Sequence, residues 1–310
     1  MVIFMELKIE NLTKTFQGAE AVSHVSYTMG KGVYGLLGVN GAGKTTLMRM
    51  LCTLLEPTEG TICLNGEDIF RMGAKYRKIL GYLPQEFGYY PDFTVKDYLL
   101  YIASIKGVHR AAAVKRVGEL IDQVGLTKVQ NRKMKKLSGG MKRRAGIAQA
   151  MLNHPSILIL DEPTAGLDPN ERIRFRNLLS EFAQDRLVLL STHIVSDIES
   201  VANEILFMKE GMLLHSGTPE AVIGAMPERV WRLTVPVHEA SAYDRHYKVA
   251  SRKAVSGGIS LRILSKERPH SEAEEENATL EDVFLSYAGE QDPFSSEKTE
   301  EDVLAKRTWL

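Results

Sequence analysis

Cysteine is nearly missing: the 310 residues contain only Cys52 and Cys63, in apolar surroundings and without C-x-x-C spacing. That leaves no disulfide framework and makes a reducing, cytoplasmic compartment the simpler setting. A charge excess of either sign is missing too, with 39 Lys plus Arg against 39 Asp plus Glu. A generally basic nucleic-acid binder and a disordered chain are both disfavoured. No run approaches the roughly 18 consecutive apolar residues that a membrane span needs. The opening Met1-Val2-Ile3-Phe4-Met5 meets Glu6, Lys8 and Glu10 at once, so no secretory leader is expected. Service to a membrane would therefore go through a partner. No internal repeat supports a solenoid or propeller. What remains is average: 44% hydrophobic and 25% charged, as in soluble globular proteins. At about 150 residues per domain, the length suits one large domain or two ordinary ones. Either buries a sizeable core unaided.

From Met5 to about Gly217 the pattern alternates strand and helix. Gly32 to Gly38 reads as a small-residue strand ending in a glycine turn, and Thr45 to Leu55 follows with helical character. Ser156 to Leu160 and Leu187 to Leu190 are continuous apolar strands. Strands apolar on both faces with helices between them predict a parallel sheet covered on both sides, an α/β class. Between Tyr89 and Lys136 the signals are helical only. Thr94 and Asp97 have capping-box spacing, and Val114, Val117, Leu120, Ile121 and Val124 form one apolar stripe. A helical subdomain, about 89–150, is expected as an insert whose stripe is ordinary core. After Gly217, Trp231 to Val235 and Ile259 to Ile263 alternate as half-buried strands do, and Thr279 with Asp282 caps a short helix through Tyr287, ended by Gly289. This predicts a small α+β domain over 226–289. The polar stretch Asp292 to Glu301 reads as a solvated tail within 290–310.

Gly38-Val39-Asn40-Gly41-Ala42-Gly43-Lys44-Thr45 fits G-x-x-x-x-G-K-[ST], with Thr46 next in the following helix. Glycines let backbone N–H groups curl around phosphate oxygens, and the helix adds its positive dipole end. Lys44 would reach the β and γ phosphates while the Thr45 hydroxyl ligates Mg²⁺. The alternative is a glycine turn without a ligand. A carboxylate site should follow on another strand, and Ile157 to Pro163 supplies it. Asp161 would accept from Mg²⁺-bound water, and Glu162 would polarise an attacking water. Alone, an apolar strand ending in Asp-Glu is structurally explicable; with the phosphate loop it favours ATP hydrolysis. Leu137-Ser138-Gly139-Gly140-Met141 opens a basic helix containing Lys142, Arg143 and Arg144. A Ser-Gly-Gly turn is by itself a helix N-cap, and it is also an anion site built from a hydroxyl and backbone N–H groups.

Taken in this order, the motifs resemble the ATP-binding subunit of ATP-binding cassette (ABC) transporters, from Met5 to about Gly217. The resemblance implies a P-loop NTPase cassette: a RecA-like core, an antiparallel β subdomain and a helical subdomain. It also gives roles. Phe16 resembles the aromatic that stacks on adenine, and Gln85 the glutamine linking the γ-phosphate and Mg²⁺ site to the membrane partner. Ser138, Gly139, Gly140 and Met141 resemble the signature loop, which binds the ATP of a partner subunit; its usual fifth residue is Gln, so Met141 departs from the pattern. Gly166-Leu167-Asp168 resembles the loop that meets the partner, and His193 the switch histidine at the γ-phosphate. Gly81 to Glu86 followed by Tyr90-Pro91, Ser138 to Arg144, and Thr279 to Phe284 are similar to the ABC-2-type exporter branch. The implied cofactors are ATP and Mg²⁺. The implied partners are a separate transmembrane permease and a second ATPase subunit, as homodimer or heterodimer, at the cytoplasmic face of the membrane, with no nucleic acid. The competing readings are a soluble ABC protein acting on ribosomes or DNA, and a regulatory module that binds ATP without turnover.

Overall fold

A computed structural model describes residues 5–183 and 185–288. Gly289 and the polar tail lie outside the described residues. The chain forms two compact units divided between Ala225 and Met226.

The first unit opens with a hairpin of β1 (Leu7–Phe16) and β2 (Ala19–Met29), then β3 (Gly32–Leu37) and α1 (Lys44–Leu51). After these come β4 (Glu59–Leu64), β5 (Glu67–Asp68), the short α2 (Ile69–Met72) and α3 (Ala74–Lys78), and β6 (Leu80–Leu83). Three helices follow: α4 (Val95–Ile105), α5 (Arg110–Gln123) and α6 (Gly139–Ala150). The chain returns through β7 (Ile157–Leu160), α7 (Pro169–Phe182), β8 (Leu187–Thr192), β9 (Glu204–Lys209), β10 (Met212–Gly217) and α8 (Pro219–Gly224). Four strands make an antiparallel sheet in the order β2-β1-β4-β5, and six make the central sheet in the order β10-β9-β3-β8-β7-β6. Within the central sheet β9, β3, β8, β7 and β6 run parallel, and β10 returns antiparallel at the edge. The all-apolar β7 and the β8 run Leu187–Leu190 are fully buried, as a sheet covered on both faces requires.

The helical segment carries the expected cap: Thr94 Oγ1 accepts from the Asp97 amide at 3.1 Å and donates to Asp97 Oδ2 at 2.6 Å. On α5 and just after it the buried face is Ala113, Val117, Leu120, Ile121 and Val124, while Val114 is 48% exposed. The stripe read from sequence was therefore right except at its start. At 100° per residue, Ala113 lies within about 40° of Val117 and Leu120, whereas Val114 falls at the margin of the stripe, about 20° beyond Ile121.

The second unit has β11 (Arg229–Val235), α9 (Ala240–His246), β12 (Lys248–Val255), β13 (Gly258–Ser265), β14 (Glu274–Glu276) and α10 (Leu280–Ala288). Its sheet is antiparallel in the order β12-β13-β11-β14, over a core that includes Trp231, Leu233, Leu261 and Ile263. Thr279 and Asp282 cap α10, Thr279 donating to Asp282 Oδ2 from its amide and its hydroxyl, both at 2.7 Å. Arg262 on β13 reaches the same carboxylate with Nε at 2.9 Å and Nη2 at 2.7 Å, which pins α10 to the sheet.

Candidate functional site: a phosphate loop at the strand ends

The parallel strands all end at one edge of the central sheet, where ligands of open α/β sheets bind. Register places their loops side by side. Leu83 pairs with Leu160, Leu160 with Leu190, and Leu37 with Thr192. The residues that follow are Pro84 and Gln85, Asp161 and Glu162, Ser191 to His193, and Gly38. Motifs scattered over about half the sequence thus meet along one edge of the sheet.

After β3 the chain turns through Gly41 (φ 83°) and Gly43 (φ 98°) into α1. A Cβ on Gly43 would stand 2.2 Å from the Ala21 carbonyl, and one on Gly38 would stand 2.3 Å from the Met208 carbonyl. Only glycine fits either place. Lys44 is 5% exposed. Its ammonium donates to the Gly38 and Val39 carbonyls at 2.7 and 3.0 Å. Burial pulls its pKa below the ordinary lysine value, against the opposing pull of Glu162 and Asp161. A cleft of about 340 Å³ is lined by Asn40 to Thr46, Gln85, Glu162 and Ala21.

Asp161 is fully buried and accepts from the Ser191 hydroxyl at 2.6 Å on Oδ1. Its Oδ2 is buried with no hydrogen-bond partner among the described residues. A carboxylate oxygen left so suits a hydrated cation. Among the described residues no group of three or more His, Cys, Asp or Glu is arranged to hold a metal. A cation here would thus draw on hydroxyl, amide and phosphate oxygens. Of the three residues the sequence reading assigns to a cation, Thr45, Gln85 and Asp161, the first two line the cleft.

Glu162 adopts φ 43°, a left-handed conformation uncommon for a non-glycine residue. Its amide donates to Ser191 Oγ at 2.9 Å. Its carboxylate lies 3.2 Å from His193 Nδ1 through Oε1 and accepts from Gln85 Nε2 at 3.5 Å through Oε2. His193 and Gln85, both named from sequence, are therefore neighbours of Glu162. Phe16 is not among the residues that line the cleft: it ends β1, 47% exposed, with the Lys14 ammonium 5.3 Å from its ring centroid. The returning strand β2 carries Ala21 into the cleft.

Ser138, Gly139, Gly140 and Met141 do not line this cleft. Ser138 caps α6, its Oγ accepting from the Met141 amide at 3.2 Å. A Cβ on Gly140 would stand 3.2 Å from the Glu171 carboxyl group. Glu171 also pairs with Arg144 at 3.2 Å. Asp168 caps α7, with Oδ1 accepting from the Glu171 amide at 2.9 Å.

Two residues at the site escaped the sequence reading. Ser191 could have been found from strand register, since it stands beside Asp161 once β7 and β8 pair. Arg143 was named only as one of three cations in a basic helix, yet it is only 7% exposed. Its spacing from the buried Gly140, Ile147 and Ala150 was the available signal.

Residues 22–165 match the family model described as ABC transporter. The chain is 34% identical over 299 residues to the Nod factor export ATP-binding protein I of Burkholderia lata, covering 92% of this chain and 97% of that protein. It is 39% identical over 211 residues to the bacitracin transport ATP-binding protein BcrA of Bacillus licheniformis, covering 67% of this chain and 68% of the other. Among solved structures, cbiO1 from Clostridium perfringens, described as part of the ABC transporter complex cbiONQ, aligns with a TM-score of 0.65 at 27% identity. That alignment covers 71% of this chain and 90% of the other.

Proposed function

The chain belongs to the ATP-binding proteins of ABC transporters and is an ATPase, and on that footing we propose that it powers export through a separate transmembrane permease. The observation that carries the mechanism is the Glu162 carboxylate in the phosphate-loop cleft, within reach of His193 and Gln85.

Phosphate-loop amides and the Lys44 ammonium bind the β and γ phosphates, neutralising charge in a partly dehydrated site. Glu162 accepts a proton from the attacking water, and His193 contacts the γ-phosphate. Thr45, Gln85 and Asp161 would hold Mg²⁺, which would neutralise charge on the phosphate oxygens. Phe16, at the end of β1, stacks on the adenine.

Because Ser138 to Met141 lie outside the cleft of their own chain, they are free to face another nucleotide. Two subunits meet head to tail, and each adds its Ser138 hydroxyl and the Gly139 and Gly140 amides to the γ-phosphate held by the other. Asp168 borders that interface. Cleavage removes the shared anion and the subunits part. Gln85 and the helical segment carry the motion to the permease, and the subunit works at the cytoplasmic membrane face. The relatives named for Nod factor export and bacitracin transport support the exporter reading.

Glu162→Gln tests it. Phosphate release should fall by about two to four orders of magnitude, as for loss of a general base, while sedimentation with ATP and magnesium shows a stable dimer. Turnover like that of the wild type rejects Glu162 as the base. A chain that stays single with cleavage blocked and permease supplied rejects the shared site.

A further inference from the structure

Among the described residues, Arg143 has no carboxylate as a hydrogen-bond partner. All five of its N–H donors instead go to backbone carbonyls. Nε donates to Pro163 at 3.0 Å, Nη1 to Pro84 at 3.1 Å and Gln85 at 2.6 Å, and Nη2 to Asp161 and Glu162, both at 2.5 Å. Those carbonyls come from two loops, the one after β6 that carries Gln85 and the one after β7 that carries Asp161 and Glu162. A cation in this position is kept by geometry: burial lowers its pKa while Asp161 and Glu162 pull the other way, and guanidinium stays protonated regardless.

The backbone of Glu162 is consequently held at both ends. Ser191 Oγ takes its amide, and Arg143 Nη2 takes its carbonyl. An uncommon backbone conformation persists only where its surroundings over-determine it, and φ 43° at Glu162 is such a case. Arg143 also lies five positions beyond Ser138 on the same helix α6.

We propose that Arg143 is a positioning residue for hydrolysis: it fixes Glu162 relative to Gln85 and ties both to the helix that begins at Ser138. In the head-to-tail dimer this makes it the link, inside one chain, between the nucleotide faced by Glu162 and the one faced by Ser138. The inference rests on the reading of Glu162 as the base. Neither Lys, with one rotating ammonium, nor Gln, with two donors, can span five carbonyls on two loops.

The test is a double-mutant cycle on the full chain: wild type, Arg143→Gln, Glu162→Gln and the double variant. Single-turnover cleavage of ATP with magnesium, ATP affinity by titration and circular dichroism are measured on each. Arg143→Gln should slow cleavage about 10- to 100-fold, as a misplacement of about 1 Å does, with affinity changed less than about threefold. In the Glu162→Gln background the same substitution should cost less than about threefold, because groups that act as a unit are not additive. Equal losses in both backgrounds, or an unchanged rate in folded Arg143→Gln, overturn the proposal. A wild-type rate in Glu162→Gln alone instead overturns the base assignment and with it the route through Glu162. If Arg143→Gln does not fold, Arg143→Lys takes its place under the same criteria, and failure of both to fold makes Arg143 a core residue and overturns the proposal.

Discussion

Ser191 donates its hydroxyl proton to Asp161 Oδ1 at 2.6 Å, from the neighbouring strand and 30 positions along the chain. The same oxygen accepts the Glu162 amide at 2.9 Å, so one hydroxyl sets both carboxylate residues at the end of β7. Among the described residues the other Asp161 oxygen, Oδ2, has no hydrogen-bond partner. Ser191→Ala removes both bonds inside a buried site. Stability should drop by about 1–3 kcal/mol, the cost of an unsatisfied buried polar group. The magnesium concentration for half-maximal turnover should rise as Asp161 loses its orientation. Thermal melts and a magnesium titration of ATPase rate check both, and an unchanged magnesium requirement would contradict the assignment of Asp161.

Gly43 and Gly41 separate two kinds of glycine requirement. Both have positive φ, but a Cβ on Gly41 meets nothing within 4 Å, whereas one on Gly43 meets the Ala21 carbonyl at 2.2 Å. Gly41→Ala should therefore cost about 1–2 kcal/mol of backbone strain alone. Gly43→Ala must displace the loop, and ATP affinity should fall by at least about tenfold more, since loop amides then miss the phosphates. Nucleotide titration of the two variants checks the order.

Met141 stands where the family pattern has Gln, yet it contributes its backbone amide to Ser138 Oγ. Met141→Gln keeps that amide. Turnover should stay within about twofold of wild type, the range of a substitution away from any special contact. A larger change in steady-state rate would assign the side chain a role of its own.

In the second unit, Arg262 binds Asp282 through two nitrogens, and the Asp282 carboxylate also caps α10. Burial alone would raise the Asp282 pKa; its hydrogen bonds to Arg262 and Thr279 outweigh this and leave it below the usual carboxylate value. A depressed folded pKa gives stability that is present above the unfolded pKa of about 3.9 and lost as pH falls through the folded value. Asp282→Asn should weaken α10 by about 2 kcal/mol or more at neutral pH, because it leaves Arg262 underpaired. Amide exchange of α10 in the full chain measures it. The wild-type advantage should shrink below about pH 4, and an advantage that holds there would contradict the ion-pair explanation.

By itself the sequence determined what is local and contiguous. Gly38 to Thr45 must form an anion-binding turn before a helix, because the glycines that allow it and the Lys that uses it lie within eight residues. The alternating and buried strands, the caps at Thr94 and Thr279, and the change of pattern beyond Gly217 follow from period and capping chemistry that act over a single turn or pleat. Tertiary structure decided the rest. Pairing of β6, β7 and β8 brought Gln85, Asp161, Glu162, Ser191 and His193 together, and no spacing along the chain encodes which strand neighbours which. It put Val114 in solvent and Ala113 in the core, although Val114 lies only about 20° around the helix from the buried Ile121. It also buried Arg143, which composition marks as a surface cation, since only the folded chain gathers five carbonyls from two distant loops around a single guanidinium.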